Sequence, residues 1–217
     1  KHLPNTWFLS PGIGHQGGGI RYAVPNTLYS MSRTILNASN PAEVSEEYSK
    51  QSYFDLGFEL ERHDLIKRGE FTLASGQKSN LYIDLKGVSG IPDLFDRIVH
   101  ELIELYDSPH PIVGMATAGI SFASVMASHL KQPFGYARSE IKAHGTGNIL
   151  EGNITKGLPI VLIEDVVSTG GSLIKAIHTL REQGYVVNQA ISVVDRGMGG
   201  KESLKAIGVD LKSLLNL

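Results

Sequence analysis

The sequence predicts an α/β domain, a parallel sheet with helices on both faces, over most of the chain. Two observations carry that expectation. From residue 55 onward, apolar runs of strand length alternate with segments of helical period. The most apolar of those runs, Leu158–Glu164, leads straight into a glycine-hydroxyl turn and another helical segment. With 217 residues, the chain has room for one such domain and an appendage. The net charge of -2 argues against a nucleic-acid partner, which would call for a basic surplus. The absence of cysteine excludes disulfides and thiolate metal sites and fits a reducing compartment. No apolar run approaches the ~18 residues that would span a membrane, and no signal pattern opens the chain. A cytoplasmic protein without membrane contact is the expectation.

The elements follow in order. Asn40 can cap a helix from Ala42 to Phe54, with Pro41 as its first residue. Leu56 to Ile66 reads as a helix, with Leu56, Leu60 and Leu65 on one face and Gly69-Glu70 ending it. Phe71-Thr72-Leu73 and Leu81-Tyr82-Ile83-Asp84 read as strands about the turn Ser75-Gly76-Gln77-Lys78. Pro92 opens a helix to Tyr106, with Leu94, Ile98, Leu102 and Leu105 at helical spacing. Strand Pro111–Ala116, helix Ile120–Leu130 and strand Phe134–Ala137 come next, then a polar stretch from Arg138 to Lys156. After strand Leu158–Glu164 come helix Gly171–Gln183, strand Tyr185–Val194 and a short last helix, Glu202–Ile207. The terminal Leu214-Leu215-Asn216-Leu217 is apolar and reads as the approach to a further helix. Ligands of such sheets sit at the carboxyl ends of the strands, here near residues 117, 138, 165 and 195.

One of those ends carries chemistry. The strand runs into Glu164-Asp165 and then Ser168-Thr169-Gly170-Gly171-Ser172. A helix start offers free N–H groups and the positive end of a dipole to a phosphate. Gly170 and Gly171 let the backbone approach the anion, and Ser168, Thr169 and Ser172 add hydroxyls. Two carboxylates beside a phosphate would repel it unless they meet hydroxyls, such as the vicinal pair of a ribose, or a metal. The combination points to a sugar phosphate. Neither the Gly-Lys-Ser/Thr of a P-loop nor a Gly-x-Gly-x-x-Gly follows. The bland alternative is a solvated turn with an N-cap serine.

A second polar stretch, Arg138-Ser139-Glu140-Ile141-Lys142-Ala143-His144-Gly145, has cation-capable groups that could close over a pyrophosphate. No second ligand stands at metal-binding spacing from His144.

The string Ile160–Ser172 resembles the phosphoribosyl-diphosphate (PRPP) signature of type I phosphoribosyltransferases. The segments Phe71–Asp84, Ala137–Gly145 with Ile149–Gly152, and Val193–Arg196 resemble orotate phosphoribosyltransferases. The likeness covers roughly residues 55–210. It implies a parallel sheet flanked by helices, with a small N-terminal hood, over residues 51–217. It implies that Glu164 and Asp165 bind the ribose hydroxyls. Val166, Val167, Ser168, Thr169, Gly170, Gly171 and Ser172 would hold the 5-phosphate. Arg138, Lys142 and His144 would meet the pyrophosphate, Lys142 and His144 as the catalytic pair that stabilises the leaving group and handles protons. Ser168, Arg196 and Lys78 would form the orotate pocket, Arg196 pairing with the carboxylate. Mg2+ would be held mainly by PRPP rather than by protein ligands. A homodimer is implied, its 138–152 loop reaching the neighbouring site. The chain departs from one branch of the family, which has a lysine where Ser139 stands and another in the turn occupied by Met115-Ala116-Thr117-Ala118-Gly119-Ile120. Backbone donors at Thr117, Ala118 and Gly119 remain. Rival readings are transfer to another base and a non-catalytic PRPP sensor.

Residues 1–50 are similar to the end of orotidine-5′-phosphate decarboxylase: Trp7–Gly18, with Met31-Ser32-Arg33-Thr34-Ile35. That resemblance implies the last two βα units of a TIM barrel and a remnant phosphate site at Gly14, Gln16 and Arg33. Two units cannot close a barrel, so no decarboxylation is expected of this chain. With no initiator Met, the chain reads as part of a decarboxylase–transferase fusion.

Overall fold

The structure, a computed structural model, describes residues 8–10, 27–29, 37–44, 56–72, 78–138 and 148–217. The chain divides into two compact units, Lys1–Asp64 and Leu65–Leu217. In the first, β1 (Phe8–Ser10) and β2 (Thr27–Tyr29) pair in parallel. Asn40 caps the turn at 41–44: its Oδ1 accepts the Glu43 N–H at 3.4 Å and its Nδ2 donates to Glu43 Oε2 at 3.0 Å. The remainder of the helix expected there lies outside the described residues. Helix α1 (Leu56–Arg62) buries Leu56 and Leu60, one turn apart.

That helix is shorter than its apolar spacing suggests. Asp64 has φ 57°, the left-handed conformation that stops a helix. Ile66, read as helical, instead opens β3 (Ile66–Thr72), which pairs antiparallel with β4 (Lys78–Ile83). Gly69-Glu70 is not a helix end but a bulge between Arg68 and Phe71. In β4, Ser79, Leu81 and Ile83 turn inward while Lys78, Asn80 and Tyr82 face out.

A 3-10 turn (Leu85–Gly90) leads to α2 (Pro92–Leu105), which buries Leu94, Ile98, Val99 and Leu102. The main sheet then forms from β5 (Ile112–Met115), β6 (Phe134–Ala137), β7 (Leu150–Glu151), β8 (Pro159–Val167), β9 (Val186–Asp195) and β10 (Asp210–Asn216). Their order is β10-β9-β8-β5-β6-β7, all parallel except β6 with β7. The intervening helices are α3 (Ala118–Leu130), α4 (Gly171–Glu182) and α5 (Gly200–Ala206). One core joins Leu173, Ala176, Ile177 and Leu180 of α4 and Leu204 of α5 to Ile160, Leu162, Val187 and Ala190 of the sheet. On the other face α2 packs on β9 and β10, and α3 on β5, β6 and β8. Phe95 of α2 stacks on Phe122 of α3, ring centroids 5.2 Å apart.

The terminal apolar run is a strand, not the approach to a helix. Lys212 pairs with Ile191 and Leu215 with Val194. Because α2 and α5 both contact β10, the strand is covered on two faces. Its apolar residues are therefore consecutive rather than alternating, a pattern that masks a strand. The polar stretch 138–156 likewise hides the short antiparallel β7. Among the described residues no helix is long and apolar enough to cross a membrane.

Candidate active site

From β5 the chain moves outward to β6, whereas from β8 it moves the opposite way to β9. The crevice between the carboxyl ends of β5 and β8 is therefore the switch point where open α/β sheets bind ligands. Two glycines close the gap beside it. A Cβ on Gly114 would stand 2.7 Å from the Gly119 oxygen and from Ile120 Cα. One on Gly119 would run into the Ile163 carbonyl oxygen and stand 3.2 Å from Ile163 C. The absence of both side chains lets the first turn of α3 lie against β8. It brings the backbone of Gly119 beside Ile163 and Glu164. The Ala116–Thr117 peptide is cis.

The acidic pair lies within β8 rather than beyond it: the strand runs to Val167, with Glu164 opposite Ser192. The Asp165 N–H donates to Glu164 Oε1 at 3.0 Å. Burial, together with a hydrogen bond to Asp165 and the charge it carries, pushes the Glu164 carboxyl well above the usual carboxylate range. A hollow of about 110 Å³, open to solvent, is lined by Glu164 and by the run Val166–Leu173. Asp165 is not part of that lining.

The hollow has the features an anion needs. Gly170, at φ 79°, is the N-cap of α4, and no side chain caps the helix there. The serine cap of the bland reading is thus absent. Ile174 N donates to Gly170 O at 2.8 Å. The N–H groups of the turn before it, Gly171, Ser172 and Leu173, have no helical acceptor. The helix dipole adds positive potential at the same point.

A residue that sequence reading missed supports this loop from beneath. A Cβ on Gly200 would stand 2.5 Å from Ser168 O, 2.6 Å from Val167 Cγ1 and 3.3 Å from Gly170 N. Glycine is required because the start of α5 packs directly under the Ser168–Gly170 loop. The only signal was the density of glycine in Gly197-Met198-Gly199-Gly200. Gly200→Ala is expected to displace the loop and raise KM for the phosphate-bearing substrate about tenfold, at a cost of about 1–3 kcal/mol in stability. Steady-state kinetics and thermal unfolding check both.

The cations are placed as follows. Arg138 leaves β6 at its carboxyl end, its N–H bonded to Ile149 O at 3.0 Å. Its guanidinium lies 3.3 Å from Glu151 of β7 and 5.8 Å from the centroid of the Tyr136 ring. Arg196 follows β9, its N–H bonded to Val167 O at 2.9 Å. It makes no ion pair with Asp195, whose Oδ1 accepts from Gly197 N at 3.0 Å. The Arg196 side chain crosses to β4, where Nη2 donates to Ser79 Oγ at 2.7 Å and Leu81 O at 2.9 Å. Lys78 is exposed on the opposite face of β4 from Ser79. Lys142, His144, Gly14, Gln16 and Arg33 lie outside the described residues. Among the described residues no group of three or more His, Asp or Glu comes together around a metal.

Residues 84–211 match the family described as phosphoribosyl transferase domain. The chain is 37% identical over 162 residues to an orotate phosphoribosyltransferase of Aeropyrum pernix, covering 73% of this chain and 87% of that one. The chain belongs to the orotate phosphoribosyltransferase family. A crystal structure of the enzyme from Aeropyrum pernix superposes with TM-score 0.68 at 36% identity, covering 75% of this chain and 94% of that one. The UMP synthase of Leishmania donovani superposes with TM-score 0.66 at 31% identity. That match covers 99% of this chain and 51% of the other. An orotate phosphoribosyltransferase of Mycobacterium tuberculosis, in complex with PRPP, superposes with TM-score 0.54 at 26% identity over 73% of this chain and 93% of that one. The fold expected from the sequence, a mostly parallel sheet flanked by helices, is that of the orotate phosphoribosyltransferase family, and such a chain is a transferase.

Proposed function

We propose that the hollow at the end of β8 is the PRPP site and that the chain uses it to make orotidine 5′-monophosphate. The chain transfers the 5-phosphoribosyl group from PRPP to orotate and releases pyrophosphate, a step of pyrimidine synthesis. The observation that carries this reading is the uncapped N-terminus of α4, joined to a glycine-lined loop with Glu164 in its wall. The phosphate takes the open N–H groups of α4. Glu164 and Asp165 accept from the ribose hydroxyls and hold C1 of the ribose toward the switch-point crevice. Backbone at Thr117–Gly119, with Arg138, Lys142 and His144, receives the departing pyrophosphate. Orotate N1 attacks C1 as the C1–pyrophosphate bond breaks, Lys142 and His144 stabilising the leaving group and taking up the N1 proton, while Arg196 pairs with the orotate carboxylate, Ser168 completes the pocket and Lys78 reaches in from the outward face of β4. Catalysis is largely positioning and charge stabilisation.

Mg2+ suits this donor set. Two adjacent carboxylates and a substrate rich in phosphate oxygens are hard ligands, and no protein cage is needed. When bound, the ion neutralises charge on the leaving pyrophosphate.

Residues 1–50 are read as the end of an orotidine-5′-phosphate decarboxylase, with Gly14, Gln16 and Arg33 as its phosphate ligands and residues 51–217 as the transferase. The parallel pair β1–β2 and the extent of the likeness to UMP synthase favour this. A longer natural chain should then decarboxylate orotidine 5′-monophosphate; one without that activity contradicts the fusion. The chain acts as a cytoplasmic homodimer with the 138–152 loop crossing to the neighbouring site; a monomeric mass at assay concentration contradicts this.

An acceptor panel with PRPP and Mg2+ tests the function. Orotate should be consumed, while uracil, hypoxanthine and adenine should not. Turnover of a purine in preference to orotate would reject the reading.

A further inference from the structure

The inference deepens the reading of Arg196 as the receptor for the acceptor's carboxylate, and it rests on that reading. Arg196 stands at the first position past β9, where a long side chain has many rotamers to lose on binding a ligand. Its orientation is set from a different part of the fold, the β3–β4 hairpin. Nη2 donates to Ser79 Oγ at 2.7 Å and to Leu81 O at 2.9 Å, which occupies both hydrogens of that nitrogen. The Ser79 hydroxyl is itself held: it donates to Leu81 O at 2.8 Å and accepts the Leu81 N–H at 3.1 Å. Its one proton is committed, so toward the guanidinium it can only accept. The serine cannot reverse its role, and the arginine is held by an acceptor of fixed direction.

Among the described residues of the hairpin, only Nη2 of Arg196 is engaged. Among the described residues Nε is buried without a partner. A buried donor of a charged group that goes unpaired is costly. The guanidinium is therefore held on one nitrogen and open for pairing on the rest.

We propose that Ser79 is a positioning residue for the transfer, one that fixes the Arg196 guanidinium before the acceptor's carboxylate arrives. Ser79 touches neither substrate. It removes the rotamer search from acceptor binding, and it links the hairpin to the carboxyl end of β9. Loss of its oxygen should weaken acceptor binding and leave PRPP binding, which rests on the open N–H groups at the start of α4, nearly unchanged.

The test is steady-state kinetics and thermal unfolding of S79A, S79C, S79T and R196A in the full 217-residue chain. S79A and S79C are expected to raise KM for orotate about tenfold. KM for PRPP should stay within about twofold, the change expected where no contact is lost. S79T keeps the hydroxyl and should restore KM for orotate. Cysteine keeps the volume, so S79C serves if S79A does not fold. Adding S79A to R196A should change KM for orotate no further, because the two act as one unit. Equal rises in both KM values, or no rescue by threonine, would overturn the proposal. The parent reading fails separately. If R196A leaves KM for orotate unchanged, Arg196 is not the receptor. If R196A raises it and both S79A and S79C do not, only the positioning role falls.

Discussion

Glu164→Gln combined with Asp165→Asn is expected to lower kcat/KM for PRPP about a thousandfold and to make the ligand-free chain more stable. The activity loss follows from two charge-assisted hydrogen bonds to the ribose, worth about 1.5–3 kcal/mol each. The gain in stability follows from the position of the pair. Burial and the neighbouring Asp165 raise the Glu164 carboxyl well above its ordinary range, so the folded chain binds a proton that the unfolded chain gives up. The stability this contributes is fully present below about pH 4.3, the ordinary glutamate value. It is lost as pH rises through the raised value, at up to about 1.4 kcal/mol per pH unit for one proton. Denaturant unfolding across that window should show stability falling as pH rises in the parent chain and a flatter profile in the variant. A variant that loses activity and is less stable at neutral pH would contradict the assignment. Such opposition between function and stability is common where a site gathers like charges.

Lys142→Ala is expected to lower kcat about a hundredfold to a thousandfold, the usual scale for losing one donor aimed at developing charge. The melting temperature should not move, because a lysine in a polar loop contributes little to a core. KM for PRPP should change less than kcat if the ammonium acts mainly as pyrophosphate charge develops. An unchanged kcat would remove Lys142 from the mechanism and shift the burden to Arg138, which leaves β6 beside Glu151 and Tyr136.

Much of the sheet was legible because its strands are buried on both faces and so read as unbroken apolar runs. Phe134–Ala137 was placed to the residue, and β5, β8 and β9 within a few residues of their ends. The same property hid β10. Its run of leucines looked like the start of a helix because helices cover both of its faces. At Leu56–Ile66 the helical spacing of leucines was genuine up to Arg62. The break comes from one left-handed residue, Asp64, whose type alone did not announce it. The loop that lines the hollow was legible because the glycines, hydroxyls and carboxylates at the end of β8 are contiguous in sequence. What supports it was not. Gly119 and Gly200 matter for distances of a few ångströms to backbone far away in the chain. Ser79 matters for a bond to a residue that lies 117 positions later. Such contacts are products of tertiary packing and leave no local pattern.

This chain joins orotate to the phosphoribosyl group of PRPP. The most direct measurement follows orotate, orotidine 5′-monophosphate and pyrophosphate together in a reaction of the purified chain with PRPP and Mg2+. Orotate should disappear only when PRPP is present, and nucleotide and pyrophosphate should appear in equal amounts. Pyrophosphate release without nucleotide, or no PRPP-dependent loss of orotate from a folded chain, would contradict it.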